Sequence, residues 1–156
     1  MIKTTILTIS DTRTKENDDS GKTIIEILND NNFTISNYEI IKDDLSQIKN
    51  RLIHYSDIAP VDLILTTGGT GIGPRDVTPE ATLEIIEKRL PGIGEHIRAT
   101  GAQKTKNALL SRGKAGVRKN TLIINLPGSP KGAGESLEAI LGVVCHAIEM
   151  MRGAGH

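Results

Sequence analysis

The stretch from Leu63 to Leu83, LILTTGGTGIGPRDVTPEATL, restricts the fold of this chain more than any other part of it. Val61 and Leu63 lead into Ile64 and Leu65, an apolar run of the kind found in a strand covered on both faces. Thr66 to Pro74 then place four glycines, Gly68, Gly69, Gly71 and Gly73, within six positions. Such a turn can take positive φ and bring its backbone N–H groups against a ligand with no Cβ in the way. Thr67 and Thr70 add hydroxyls, Arg75 a cation and Asp76 a carboxylate, so polar groups of several kinds converge on one loop. The helix that follows has a marked start: Thr78 as cap, Pro79 at the first helical position and Glu80 in the first turn, facing the positive end of the dipole.

A loop of this composition suits an anion, most often phosphate, but two common phosphate motifs do not describe it. A dinucleotide fingerprint starting at Gly69 requires glycine where Pro74 stands. A P-loop ending at Gly21-Lys22-Thr23 requires an earlier glycine where Glu16 stands.

Around this stretch, strands and helices alternate. Thr4 to Ile9 reads as a buried strand ending in Ser10-Asp11, and Ser20 as the cap of a helix reaching about Asn29. Phe33 to Ile41 is a second strand, ending at Lys42-Asp43-Asp44. Asp44 or Ser46 starts the next helix, in which Leu45, Ile48, Leu52 and Tyr55 recur at helical spacing and which Pro60 closes. Leu83, Ile86 and Leu90 form the inner face of the helix after the glycine loop. Pro91 to Gly94 interrupts it, and Glu95 to Lys104 forms another amphipathic piece. Gly113 to Asn120 is a polar loop or hairpin, and Thr121 to Leu126 the last strand. A second glycine-rich turn, Pro127 to Gly134, leads into a helix whose stripe is Leu137, Ile140, Leu141, Val144, Ile148 and Met151. This alternation predicts an α/β fold with a mostly parallel sheet. In such a sheet the segments after Ile9, Leu65 and Leu126 share one edge, where open α/β sheets bind their ligands.

Composition narrows the function. A chain of 156 residues suits one domain, spanning residues 1–156, that buries roughly 70% of its unfolded surface. Nineteen basic and nineteen acidic residues cancel, and the only aromatics are two tyrosines and one phenylalanine, which argues against a nucleic-acid partner. The single cysteine, Cys145, excludes an internal disulfide framework and reads as a small core residue. No run approaches the ~20 apolar residues of a membrane span, so the expectation is a cytoplasmic protein with no membrane partner. His54, His96, His146 and His156 show no metal-ligand spacing and are read as non-catalytic.

TTGGTGIGPRDVTPEAT and NLPGSPKGAGESLEAI, with the opening Ser10-Asp11 and the Asp19-Ser20-Gly21 triplet, resemble the MogA/MoaB family of molybdenum cofactor biosynthesis proteins over nearly the whole chain. The resemblance implies a three-layer α/β/α sandwich that binds molybdopterin, usually as a homotrimer. For the Mog-like type, which NLPGSPKGAGESLEAI resembles more closely, it further implies an adenylyltransferase. Such an enzyme uses ATP and Mg²⁺ to make adenylyl-molybdopterin and releases pyrophosphate, ahead of a molybdate-insertion enzyme. Two alternatives stay open: a MoaB-like module that binds molybdopterin without adenylylation, and a nucleotide pyrophosphatase similar to the amino-terminal domain of CinA.

Carried over residue by residue, the resemblance makes Asp43 and Asp76 the catalytic and Mg²⁺-binding carboxylates. Lys42 stands where the family usually has proline, and Asp44 is a rival for the role of Asp43. Two carboxylates about 4 Å apart would repel by ~4 kcal/mol at an effective dielectric of 20, a conflict that a divalent cation resolves. The resemblance also implies that Gly68, Gly69, Thr70 and Gly71, with Thr67 before them, and the turn Pro127, Gly128 and Ser129 hold pterin and phosphate. It sets Ser10 and Asp11 near the nucleotide or shared phosphates. Arg75 and Lys131 are further candidates for phosphate contacts, and Ile93, Leu109 and Leu110 for a subunit interface.

Overall fold

The apolar runs become the strands of one six-stranded sheet in the computed structural model, which describes residues 1–154. The strands are β1 (Ile2–Ile9), β2 (Phe33–Ile41), β3 (Leu63–Thr67), β4 (Lys88–Arg89), β5 (Ala115–Arg118) and β6 (Thr121–Leu126). The helices are α1 (Asp19–Asn29), α2 (Leu45–Ile53), α3 (Thr78–Ile85), α4 (Pro91–Ala102) and α5 (Pro130–Met151). The spatial order is β2-β1-β3-β6-β5-β4. The first four of these are mutually parallel, and β5 and β4 continue the sheet antiparallel.

Side chains alternate across the strands, which gives the sheet two separate apolar faces. Ile6, Leu63, Leu65, Leu122 and Ile124 meet Ile24 and Leu28 of α1, Ile93 and Ile97 of α4, and Leu137, Ile140 and Val144 of α5. Leu7, Ile64 and Ile123 point the other way, onto Ile48 and Leu52 of α2 and Ala81 and Ile85 of α3. The three-layer sandwich expected from the sequence is the result. Each fully buried leucine or isoleucine here stabilises by about 1.5–3 kcal/mol relative to exposure.

Register decides where the loops emerge. Ile9 pairs with Ile41, Thr8 with Thr67, and Thr67 with Leu126, so the four parallel strands end in one row. Residues 10–11, 42–43, 68–71 and 127–129 therefore leave the sheet side by side.

Several local expectations need correction. Asp18, not Ser20, caps α1, because its carboxylate accepts the Gly21 N–H at 3.1 Å; the Ser20 hydroxyl donates instead to the Gly128 carbonyl at 2.9 Å. Val77 occupies the cap position of α3, and Thr78 begins the helix with its hydroxyl donating to Gly68 O at 3.0 Å. That helix stops at Ile85, short of the Ile86 and Leu90 assigned to its inner face. The chain is drawn into the sheet there: Glu87 N–H donates to Val117 O and Leu90 N–H to Ala115 O. Pro91 to Gly94 is not an interruption but the first turn of α4, with Pro91 in the first-turn position that tolerates its missing N–H. Between Gly113 and Asn120 the hairpin alternative holds, with Lys119 at φ 51° in the tight turn between β5 and β6. Cys145 is half-buried against the core rather than within it, as are Leu141 and Met151. Asp44, one of the two proposed starts, caps α2 by accepting the Gln47 N–H at 2.9 Å. His156 lies outside the described residues.

One polar residue breaks the apolar run of β6. Asn125 is 2% exposed and donates to the hydroxyls of Thr66 and Thr82, both at 3.0 Å, while its carbonyl accepts the Lys114 N–H at 3.0 Å. It joins β3, β6, α3 and the start of the hairpin at a single amide. Asn125→Ala is expected to lower stability by about 2–4 kcal/mol, because a cavity and an orphaned Lys114 N–H remain. Urea unfolding should show a lower midpoint with an unchanged slope.

Candidate functional site

The glycine loop is shaped by what it must pass. Gly68 has φ +101°, and a Cβ there would lie 2.4 Å from the Ile9 carbonyl oxygen. Gly69 has φ +68°, and its Cβ would lie 2.3 Å from the Thr78 hydroxyl. Both positions require glycine for conformation and for space. The loop thus presses against the end of β1 on one side and the start of α3 on the other. The second glycine turn meets it as well: a Cβ on Gly128 would come within 3.2 Å of the Gly68 Cα, and the buried Thr67 hydroxyl donates to Pro127 O at 2.7 Å.

Three carboxylates gather on one flank. Asp43, at the end of β2, directs Oδ1 toward Gly69, within 3.2 Å of the position a Cβ would take there. Asp76 folds back on its own loop, its Oδ2 accepting the Gly73 N–H at 2.9 Å. Asp11, after β1, accepts the Asp43 N–H at 3.1 Å and a two-pronged bond from Arg75, both contacts at 3.0 Å. Arg75 thus serves as the counter-ion of Asp11. That pairing holds the Asp11 carboxyl below its ordinary range, while burial and then the negative charge of Asp11, with a smaller contribution from Asp76, push Asp43 up. Asp43, unlike Asp11, has no arginine bonded to its carboxylate.

On the other flank a cavity of about 360 Å³ opens between the two glycine turns, α4 and the segment 105–111. Thr70, Gly71, Pro127, Gly128 and Ser129 line it, with Ile97, Arg98, Asn107, Ser111 and Ser136. Its size suits one small organic ligand.

The residues singled out from the sequence therefore divide by position. Thr70, Gly71 and Pro127 to Ser129 face the cavity; Asp11, Asp43 and Asp76 form the acidic flank; Gly68 and Gly69 are the wall between. Thr67 is buried and ties the two turns together. The Ser10 hydroxyl accepts the Thr12 and Arg13 N–H groups, at 3.2 and 3.0 Å, and so organises its own loop. The Ser129 hydroxyl accepts the Gly132 N–H at 3.0 Å and caps α5. Asp44 is committed to its helix cap, which favours Asp43 over it for the site. Ile93 is a core residue, whereas Leu109 and Leu110 are exposed. Among the described residues no cluster of three or more His, Cys, Asp or Glu has metal-binding geometry, so a cation at Asp43 and Asp76 would need ligand or water oxygens to complete its shell.

Other contributors were not legible. Asp18 is fully buried and accepts from Thr8 at 2.6 Å and from Tyr38, while Arg13 links it to Ser20 and so to the Gly128 carbonyl. Arg112 reaches back to the glycine loop, donating to Gly71 O and Asp76 O, both at 2.9 Å. An acid or base in a polar stretch is read as solvated, and only the three-dimensional arrangement reveals its partner.

Comparisons with known proteins show the family. A family model described as a probable molybdopterin binding domain matches residues 5–146. The molybdopterin adenylyltransferase of Helicobacter pylori (strain J99) is 42% identical over 152 residues, covering 95% of this chain and 86% of the relative. Molybdenum cofactor biosynthesis protein B of Halalkalibacterium halodurans is 43% identical over 130 residues, covering 82% of this chain and 76% of the relative. The crystal structure of the molybdopterin biosynthesis enzyme MoaB from Thermus thermophilus superposes with a TM-score of 0.91 at 47% identity, covering 99% of both chains. With its two glycine turns, its shared strand edge and a family match across most of its length, this chain belongs to the molybdopterin-binding-domain family of molybdenum cofactor biosynthesis proteins.

Proposed function

We propose that this protein is a molybdopterin adenylyltransferase acting in molybdenum cofactor biosynthesis. The observation that carries the reading is the single glycine loop with an organic-ligand cavity on one side and the Asp43–Asp76 pair on the other. In this reaction a phosphate oxygen of molybdopterin forms a bond to the α-phosphorus of ATP. The bond from that phosphorus to the bridging oxygen breaks, and pyrophosphate leaves with the electron pair. The phosphate nucleophile is already ionised near neutrality, so no strong base is needed and no histidine is assigned a role. Positioning and charge neutralisation carry most of the rate.

The donor set fits Mg²⁺. Asp43, raised by burial and by the neighbouring charges of Asp11 and Asp76, is a carboxylate whose ionised form gains from a cation. Asp43 and Asp76 would hold the ion together with phosphate oxygens and water; when bound it supplies neutralisation of the reacting phosphates. The turn Pro127 to Ser129, with Thr70 and Gly71, would orient molybdopterin in the cavity. Ser10 and Asp11 would border the nucleotide. Arg75 holds Asp11 in place, which keeps that third carboxylate from competing for the cation.

The same reading includes a cytoplasmic location, a homotrimer, for which the exposed Leu109 and Leu110 offer an apolar contact surface, and a molybdate-insertion enzyme as the consumer of the product. Among the described residues no helix is long and apolar enough to cross a membrane.

Incubation with molybdopterin, ATP and Mg²⁺ should yield adenylyl-molybdopterin and pyrophosphate. Molybdopterin binding with no product would instead support a binding module, the alternative that the similarity to a MoaB protein keeps open. Asp76→Asn should lower turnover by at least about a hundredfold while molybdopterin binding, followed by pterin fluorescence, stays near that of the parent protein. An equal loss of both would remove Asp76 from the reacting side.

Asp43 yields a prediction of the opposite sign for stability. Its folded pKa is raised, so the ionised group destabilises the fold at pH values above that pKa, and the penalty disappears as pH falls through it. Asp43→Asn should therefore melt at or above the temperature of the parent protein at pH 7, with the difference closing below about pH 4. The variant should at the same time lose the Mg²⁺-induced rise in melting temperature. A variant less stable than its parent at neutral pH would contradict the assignment.

A further inference from the structure

The tip of the glycine loop, Ile72 to Arg75, is exposed, while Thr70 before it is buried and Asp76 after it is half-buried. Arg112 sits across the neck of that tip. Its Nε donates to Gly71 O at 2.9 Å and its Nη2 to Asp76 O at 2.9 Å, one carbonyl on each side of the exposed segment. Its backbone N–H donates to Thr70 O at 2.8 Å. Nη1 pairs with Glu80 Oε2 at 2.5 Å, in the first turn of α3.

Four contacts from one residue therefore close the loop at its base. A planar guanidinium can bridge two carbonyls and a carboxylate at once; an ammonium on a flexible stem has neither the fork nor the span. Without the bridge, the segment between Gly71 and Asp76 is held by the local bonds between Gly73 and Asp76, at 2.9 and 3.1 Å, and by the exposed pairing of Arg75 with Asp11, none of which fixes the Gly71 and Asp76 carbonyls. The carboxylate of Asp76 would then move with the tip. Arg112 also follows directly on Leu110 and Ser111, which line the cavity, so one short segment touches both flanks of the loop.

We propose that Arg112 is a positioning residue that clamps the neck of the glycine loop, holds the Asp76 carboxylate in register with Asp43 and thereby ties the cavity wall to the acidic pair. Arg112 touches neither reacting atom; it acts through the backbone of Asp76. The inference deepens the adenylyltransferase reading and rests on it for its kinetic consequences, though not for its structural ones.

Arg112→Lys keeps the charge and most of the length but not the fork, and Arg112→Gln is a second variant should the first not fold. Arg112→Lys should lower kcat by about 10–100-fold, the usual effect of removing a group that orients a metal-binding or catalytic one. It should raise the Mg²⁺ concentration at half-maximal rate and leave the KM for molybdopterin unchanged. Glu80→Gln removes only the ion pair and should stay within about fivefold of the parent protein. A wild-type kcat and Mg²⁺ titration in Arg112→Lys would overturn the proposal. So would a loss in Glu80→Gln equal to that in Arg112→Lys, or a fall in melting temperature and molybdopterin affinity with no change in the Mg²⁺ titration. If the parent protein itself forms no adenylyl-molybdopterin, the functional reading fails by itself, and the clamp is still tested. The backbone N–H groups of Ile72, Gly73, Arg75 and Asp76 must then exchange faster in Arg112→Lys, and Mg²⁺ must raise its melting temperature less; equal values in both measurements would refute it.

Discussion

Four parallel strands that stop in the same row are the constraint on which the rest of this molecule depends. The pairing of Ile9 with Ile41 and of Thr67 with both Thr8 and Leu126 leaves the chain no choice about where its loops emerge. A shift of one residue in any of these ladders would turn the apolar set of that strand toward the wrong layer, because side chains alternate with period two. Burial thus enforces the register, and the register assembles the site. Segments separated by more than a hundred residues, such as Ser20 and Gly128, meet through a direct hydrogen bond as a consequence.

Within the site two opposing demands share a few ångströms. A loop of bare backbone N–H groups attracts negative charge from outside, yet three aspartates of the chain itself lie along its flank. The structure resolves part of this without outside help. Asp11 is matched by the bidentate Arg75, and Asp76 accepts the Gly73 N–H of its own loop. Asp43 has no arginine bonded to its carboxylate, and burial together with the neighbouring charge of Asp11 pushes its carboxyl up. A folded protein that tolerates such a group has given up some stability at that point, a pattern common where function requires an uncompensated charge.

The architecture was legible because its signals are local and strong: uninterrupted apolar runs, glycine turns after two of them, a Pro-Glu helix start. The acidic pair came from a resemblance of motifs, and the structure sets both carboxylates against one loop. The features that leave no local signal depend on distant partners. Ile86 to Leu90 continues a helical apolar spacing in the sequence, but backbone bonds to the hairpin at Ala115 and Val117 outweigh that preference. Ser20 has the composition of a helix cap, yet a hydrogen bond to a carbonyl more than a hundred positions away holds it inside the first turn. Arg112 carries no local motif at all, since the acceptors it bridges on the loop are backbone carbonyls, which every residue possesses. Asn125 does leave a cue, an amide set within the apolar run Leu122 to Leu126.

The antiparallel end of the sheet has its own significance. Its outermost strand, β4, is two residues long and consists of Lys88 and Arg89, both exposed. An incoming strand would find few free backbone groups there and would have to lie alongside two cations, conditions that discourage edge-to-edge growth. The parallel ladders at the centre, which are slow to form and prone to mispairing, are thus shielded on that side from recruiting a neighbour while they zip up.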